Sequence, residues 1–294
     1  MRLSILDHGH RRRAKLFLGL TSRRSGVASP DIVKMLLYRP GLFAQPLLDL
    51  TANAMRGPSY WTAGEREYLA MSTAQLHQCP FCAVTHAELT RIAGTGEIDP
   101  DDAGSARPEL TAVRTFLEAV SRDPGSVDAA TVTELPRHAV AEALRVNLVW
   151  NIVNRLANAF GFVLRDGQLE TGTRSLHRFG YRFPGFLISE GTKTDFGDTG
   201  RNLRHAILAT PGTTDETVRS AALLGDALPE PLQSYVTKVR DASHKITDAD
   251  IDALKAAGYS EDALFEVTAA AAVGAALRSF DAGLRALDAR NAPR

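Results

Sequence analysis

The chain has 294 residues, 34 lysines and arginines against 34 aspartates and glutamates, 44% hydrophobic residues and two cysteines. Balanced charge argues against a general nucleic-acid or membrane-surface role, two cysteines exclude a disulfide scaffold, and no stretch approaches the roughly 20 apolar residues that span a bilayer. A chain this long can bury a large core and is comfortable for two domains.

The opening, "MRLSILDHGHRRRAKLFLGLTSRR", sets an arginine cluster before an apolar run, superficially like a twin-arginine export signal. The run from Leu16 to Leu20 is too short, and no small-residue cleavage site follows. An amphipathic first helix or mobile arm over residues 1–29 is expected instead, and with it a cytoplasmic protein.

Beyond it the periodicity predicts an all-α chain. "PDIVKMLLY", "AVRTFLEAVSR" and "HAVAEALRVNLVWNIVNRLANAF" repeat apolar residues at three- and four-residue steps. Alternating β patterns are scarce, and Asp166-Gly167 is the one hairpin-like dipeptide. Breaks are expected at Gly57-Pro58, near Asp99-Pro100, at Asp123-Pro124-Gly125, from Gly180 to Gly185 and at Pro211-Gly212.

An internal repeat is visible at a shift of 119 residues. Phe116, Leu117, Val120, Val127, Val132 and Leu135 fall on Tyr235, Val236, Val239, Ile246, Ile251 and Leu254. After a short insertion Glu142 meets Glu266, and Arg155 approximately meets Arg278. Chance alignment of two amphipathic helices is the alternative to duplication; six ungapped apolar matches at irregular spacing favour two related helical bundles, joined near residues 165–200. Arg155 and Arg278 are read as structural partners of local carboxylates.

The chemistry gathers in residues 62–86. Thr62-x-x-Glu65 is a capping box, which gives Glu65 a structural task. Glu67 shares a helical face with Ala70, Met71 and Ala74; taken alone it reads as an exposed surface carboxylate, the alternative being partial burial with a raised pKa. In "CPFCAVTH", Pro80 suits the first turn of a helix, placing Cys79 at the N-cap and Cys82 at the third helical position. Both sulfurs then lie at the positive end of the helix dipole, which favours thiolate. His86, one turn beyond Cys82, is placed to take and return a thiol proton.

Other readings stand beside this one. Free cysteines often serve as small hydrophobes, and a lone histidine is commonly a core or surface residue. Zinc would need a fourth ligand beside Cys79, Cys82 and His86, with His77 or Glu67 the candidates, and no second C-x-x-C or His-x-x-x-His completes a structural site. No metal and no cofactor are therefore expected. A thioredoxin domain would require strands around the motif.

The stretch "GEREYLAMSTAQLHQCPFCAVTHAELTRIAG" resembles the core of the alkylhydroperoxidase D and carboxymuconolactone decarboxylase-like family, in which a glutamate precedes C-x-x-C-x-x-x-H by about a dozen residues. Glu67, Cys79, Cys82 and His86 match at all four positions, and the spacing selects Glu67 over Glu65. "YRPGLFAQPLLDLTANAMRG", "NLVWNIVNRLANAFGF" and "FGYRFP" resemble flanking segments of the family's peroxidase-related branch. The resemblance covers residues 30–190; residues 191–294 read as a cysteine-less second copy.

The resemblance implies an all-helical fold and a thiol peroxidase. Cys82 would attack the peroxide and become a sulfenic acid, Cys79 would resolve it as a disulfide, and His86 with Glu67 would relay the proton. A dithiol reductant, in some family members a lipoyl-type carrier, would reopen the disulfide. A homo-oligomer is expected, without nucleic-acid or membrane partners. Family members often carry a histidine just before the second cysteine; Phe81 stands there, which puts the full relay and the shared reductant in question. Members that decarboxylate lactones lack the cysteine pair, so that reaction is not expected. A redox sensor or scaffold of negligible turnover, a disulfide reductase for another substrate, and a metal-binding module are the rival readings.

Overall fold

In a computed structural model, which describes residues 1–189 and 195–290, the chain is all-α: the described residues hold no strand. Helices α1 (Ile5–His8), α2 (Arg12–Ser25), α3 (Asp31–Tyr38) and α4 (Pro40–Arg56) lead to the pair α5 (Ala63–Leu76) and α6 (Pro80–Ala93). Helix α7 (Pro108–Arg122) precedes the long α8 (Arg137–Phe160). Shorter helices follow: α9 (Gln168–Phe179), α10 (Gly185–Ile188), α11 (Thr199–Ala209), α12 (Glu216–Leu224), α13 (Leu232–Asp241) and α14 (Asp248–Ala256). They end in α15 (Glu261–Arg290). By length and composition α15 passes as a membrane span, which counting apolar runs did not foresee; 94% of its apolar window is buried inside the protein.

The helices form two compact units, each assembled from separate stretches: Met1–Asp49 with Arg155–Ala275, and Leu50–Asn154 with the chain from Ala276 onward. Each therefore draws on both sides of residue 190.

In the first unit Phe265 is the centre of an aromatic cluster, with Tyr38 edge-on at 5.2 Å and Phe160 stacked at 5.7 Å. The first ten residues are built into this core rather than forming a mobile arm. Leu3 and Leu6 are fully buried, and Arg2 donates to the Ala159 carbonyl at 3.1 Å and to Asp248 at 2.9 Å. Glu266, also fully buried, accepts from the Thr213 and Thr214 amides at 2.7 and 2.8 Å and pairs with Arg39 and Arg219. Burial pushes its carboxyl up, but Arg39 and the two amides outweigh that and hold it below its ordinary value.

In the second unit Trp61, Tyr68, Phe116 and the apolar face of α8 form the core, and the Trp61 indole donates to the Ala139 carbonyl at 2.7 Å. Of the twelve apolar positions aligned by the 119-residue shift, eleven are buried and Val127 is half-buried. The aligned arginines differ: Arg155 is buried and donates to the Arg240 carbonyl at 3.0 Å, whereas Arg278 is exposed.

Candidate active site

Helix α5 opens on the capping box, with the Glu65 amide bonded to Thr62 Oγ1 at 3.1 Å and the Thr62 amide to Glu65 Oε2 at 2.9 Å. Arg107 also holds Glu65, so this carboxylate is structural.

The two helices meet without a loop. His77 caps α5, Gln78 adopts a left-handed φ of 51°, and the Cys79 amide donates back to the Ala74 carbonyl at 2.9 Å. This is a Schellman-type ending with glutamine where glycine is usual, a conformation that costs a side-chain-bearing residue about 1 kcal/mol. Cys79 is at once the N-cap of α6, and its carbonyl accepts from the Ala83 amide at 2.9 Å. Pro80 occupies the first helical position, so Cys82 is third, as the spacing predicts.

The two cysteines stand as free thiols, and both are buried. They share a hydrogen bond, and their surroundings treat the two sulfurs differently. The Cys82 thiol and the nearby Phe81 and Cys82 amides lower the Cys79 pKa against its burial. Full burial and the adjoining Cys79 push the Cys82 thiol well up. Of the two thiols, Cys79 is thus the one whose ionisation its surroundings favour.

Glu67 is fully buried, not the surface carboxylate its local spacing alone indicates. Two partners make this burial tolerable: Arg56 Nη2 lies 2.6 Å from one carboxylate oxygen and His86 Nδ1 2.7 Å from the other. A carboxylate that also accepts from Arg56 is ionised, so His86 carries its proton on Nδ1 and leaves Nε2 as a base. Trp150 fixes the imidazole from the side, ring centroids 3.8 Å apart at 68°, and its own N–H donates to Met55 Sδ at 3.3 Å. His86 stands one helical turn beyond Cys82 on α6.

The structure therefore joins Glu67 to His86 across α5 and α6, and Cys79 to Cys82 at their junction. Phe81 is buried between the cysteines. His77 points elsewhere, its Nε2 donating to Asn151 Oδ1 at 2.6 Å. Asn151 in turn donates to Asn147 Oδ1 at 2.7 Å, and Asn147 to Thr73 Oγ1 at 3.3 Å. Among the described residues no group of three or more His, Cys, Asp or Glu side chains is gathered as a metal site. A cavity of about 730 Å³ beside α11, lined by Phe196, Arg201 and His205 among others, shares no residue with the thiol site.

Arg56 and Trp150 are site residues that spacing did not single out, and Asn151 is the residue that holds His77. The available signal was the polar stripe Asn147, Asn151, Asn154 at helical steps inside an otherwise apolar helix. Asn154 is fully buried, and neither its Oδ1 nor its Nδ2 has a partner among the described residues. An Asn154→Leu variant, close in shape, should therefore be stabilised by about 1 kcal/mol, read as a higher midpoint in urea unfolding. A lowered midpoint would show that the amide is satisfied in solution.

No protein-family model matches this chain, and no curated protein matches it in sequence.

Proposed function

We propose that the chain is a thiol-dependent hydroperoxidase with an alkylhydroperoxidase D-like fold, reducing a hydroperoxide through a Cys79–Cys82 disulfide. The observation carrying this reading is the buried Arg56–Glu67–His86 chain one helical turn from a hydrogen-bonded dithiol. Structural cysteines need no such base, and an oriented imidazole beside a nucleophile is the arrangement that covalent catalysis requires.

In the cycle, the Cys82 proton moves to His86 Nε2, leaving a Cys82 thiolate. That sulfur attacks the distal peroxide oxygen; the O–O bond breaks, the alcohol departs with a proton from His86, and Cys82 becomes a sulfenic acid. Cys79 sulfur then displaces hydroxide, which takes the Cys79 thiol proton and leaves as water, and the disulfide forms. An external dithiol returns two electrons and two protons. Burial of both sulfurs favours a small hydroperoxide.

A tandem origin supports the fold assignment. Glu142 receives the Ser59 hydroxyl and the Tyr60 amide ahead of α5, as Glu266 receives two loop amides ahead of α12. Arg66 in α5 donates to the Gly57 carbonyl at 2.8 Å and Arg219 in α12 to the Thr214 carbonyl at 2.9 Å, each reaching back into the loop before its helix. Yet 50 residues separate Arg66 from Phe116, and only 16 separate Arg219 from Tyr235. The second copy would thus have lost the whole thiol-bearing helix rather than its cysteines alone.

The test separates the two sulfurs. Cys79→Ser should still reduce one equivalent of hydroperoxide and accumulate a sulfenic acid on Cys82 that dimedone traps; Cys82→Ser should do neither. The opposite pattern would make Cys79 the nucleophile, in line with its lowered pKa. The deep burial of both thiols favours a second reading, a redox sensor, which stoichiometric oxidation without turnover in excess dithiol would establish.

A further inference from the structure

The neutrality of the chain hides an asymmetry. Residues 1–29 hold seven basic residues and one acidic, which leaves 27 basic against 33 acidic in the remainder. Five of those cations lie in α2, a helix of 14 residues with no acidic residue at all.

Their placement is specific. Ala14 is the buried side of α2, and Arg12, Leu16, Leu20 and Arg24 follow one another at four-residue steps along the opposite, exposed side. Leu16 is 67% and Leu20 66% exposed, so the middle of this stripe is apolar and its two ends are cationic. Arg23 and Lys15, also exposed, flank it.

A second segment of the same unit extends the surface. Gln168 Nε2 donates to the Ala28 carbonyl at 2.9 Å just past the end of α2, and Arg11 Nη2 to the Leu187 carbonyl at 3.3 Å just before its start. Residues 168–187 therefore run alongside α2 in the opposite sense. They expose Phe179 and Phe186, each at 60%, next to the exposed Arg178 and Arg182; the one acidic residue of this stretch, Glu170, lies at its far end.

We propose that this face of the first unit docks the protein onto an anionic phospholipid surface, α2 lying in the interface with Leu16, Leu20, Phe179 and Phe186 among the acyl chains and the arginines on the headgroups. Apolar side chains framed by cations on a convex helix suit a lipid surface. A second copy of the same face would set the cations against one another, and a nucleic acid would leave the leucines without a role.

The test is co-sedimentation of the full chain with phosphatidylcholine vesicles, with and without about one-third phosphatidylglycerol. Binding is expected only with the anionic lipid, weakened in about 0.5 M salt, and reduced about tenfold or more by Leu16→Glu with Leu20→Glu. Arg12→Gln with Arg24→Gln, which leaves the leucines intact, should weaken it too; both variants should keep the wild-type Tm. Binding to neutral vesicles alone, absence of binding, or binding unaffected by either variant would overturn the proposal. So would lipid-free dissociation of an oligomer by the leucine variant, which would assign the face to self-association, or retention of an RNA complex by that variant.

Discussion

Glu67→Gln is expected to lower kcat/KM for hydroperoxide on the order of a hundredfold or more while leaving the fold intact. The glutamine oxygen can accept from Arg56, but its NH2 then faces His86 Nδ1 across the 2.7 Å contact. Two donors cannot share that contact, so the imidazole moves its proton to Nε2, where it can no longer take one from a thiol. The charge lost beside Arg56 should cost about 1–2 kcal/mol of stability. Glu67→Ala, which strips both partners, should cost about 3 kcal/mol. Peroxide turnover with a dithiol reductant, beside calorimetric unfolding, checks both; wild-type turnover in Glu67→Gln would remove the relay from the mechanism.

Gly274→Ala should destabilise by about 3 kcal/mol, lowering Tm by about 8 °C, although alanine is the better helix former. A Cβ at Gly274 would stand 1.8 Å from the Leu223 carbonyl oxygen and 2.6 Å from its carbon. These are backbone atoms and cannot rotate away. Arg240 also donates to the Ala222 and Leu223 carbonyls, at 2.8 and 3.3 Å, so displacing the end of α12 breaks those bonds as well. Gly283→Ala is the control on the same helix. Its Cβ would meet the tip of Leu144 at 2.5 Å, a side chain that can turn aside, and the loss should stay near 1 kcal/mol. Equal Tm values for the two variants would refute the backbone-contact argument.

What was legible in the sequence was what is local. Apolar steps of three and four gave the helices, Thr62 and Glu65 gave the start of α5, and Pro80 gave the start of α6 with both cysteines in register. Glu67 was misjudged from local spacing because its burial is decided by Arg56 on α4 and His86 on α6, eleven residues before it and 19 after. The opposite pKa shifts of the two thiols were equally hidden, since they depend on which sulfur the helix amides reach and how deeply each is buried. Gln78 in a left-handed turn runs against its own preference, and no neighbouring residue announces it. Gly274 was visible within an alanine run, but its reason lies in the carbonyl of another helix.

Cys79 ends one helix and begins the next, with its amide and its carbonyl both committed. The junction has no spare residue. An α-helix advances about 100° per residue, so inserting or deleting a single residue between His77 and Cys82 would swing His86 around the axis of α6, away from Glu67. Evolution could lengthen the connection after α6 without touching the chemistry, but at this junction the only change available is substitution in place.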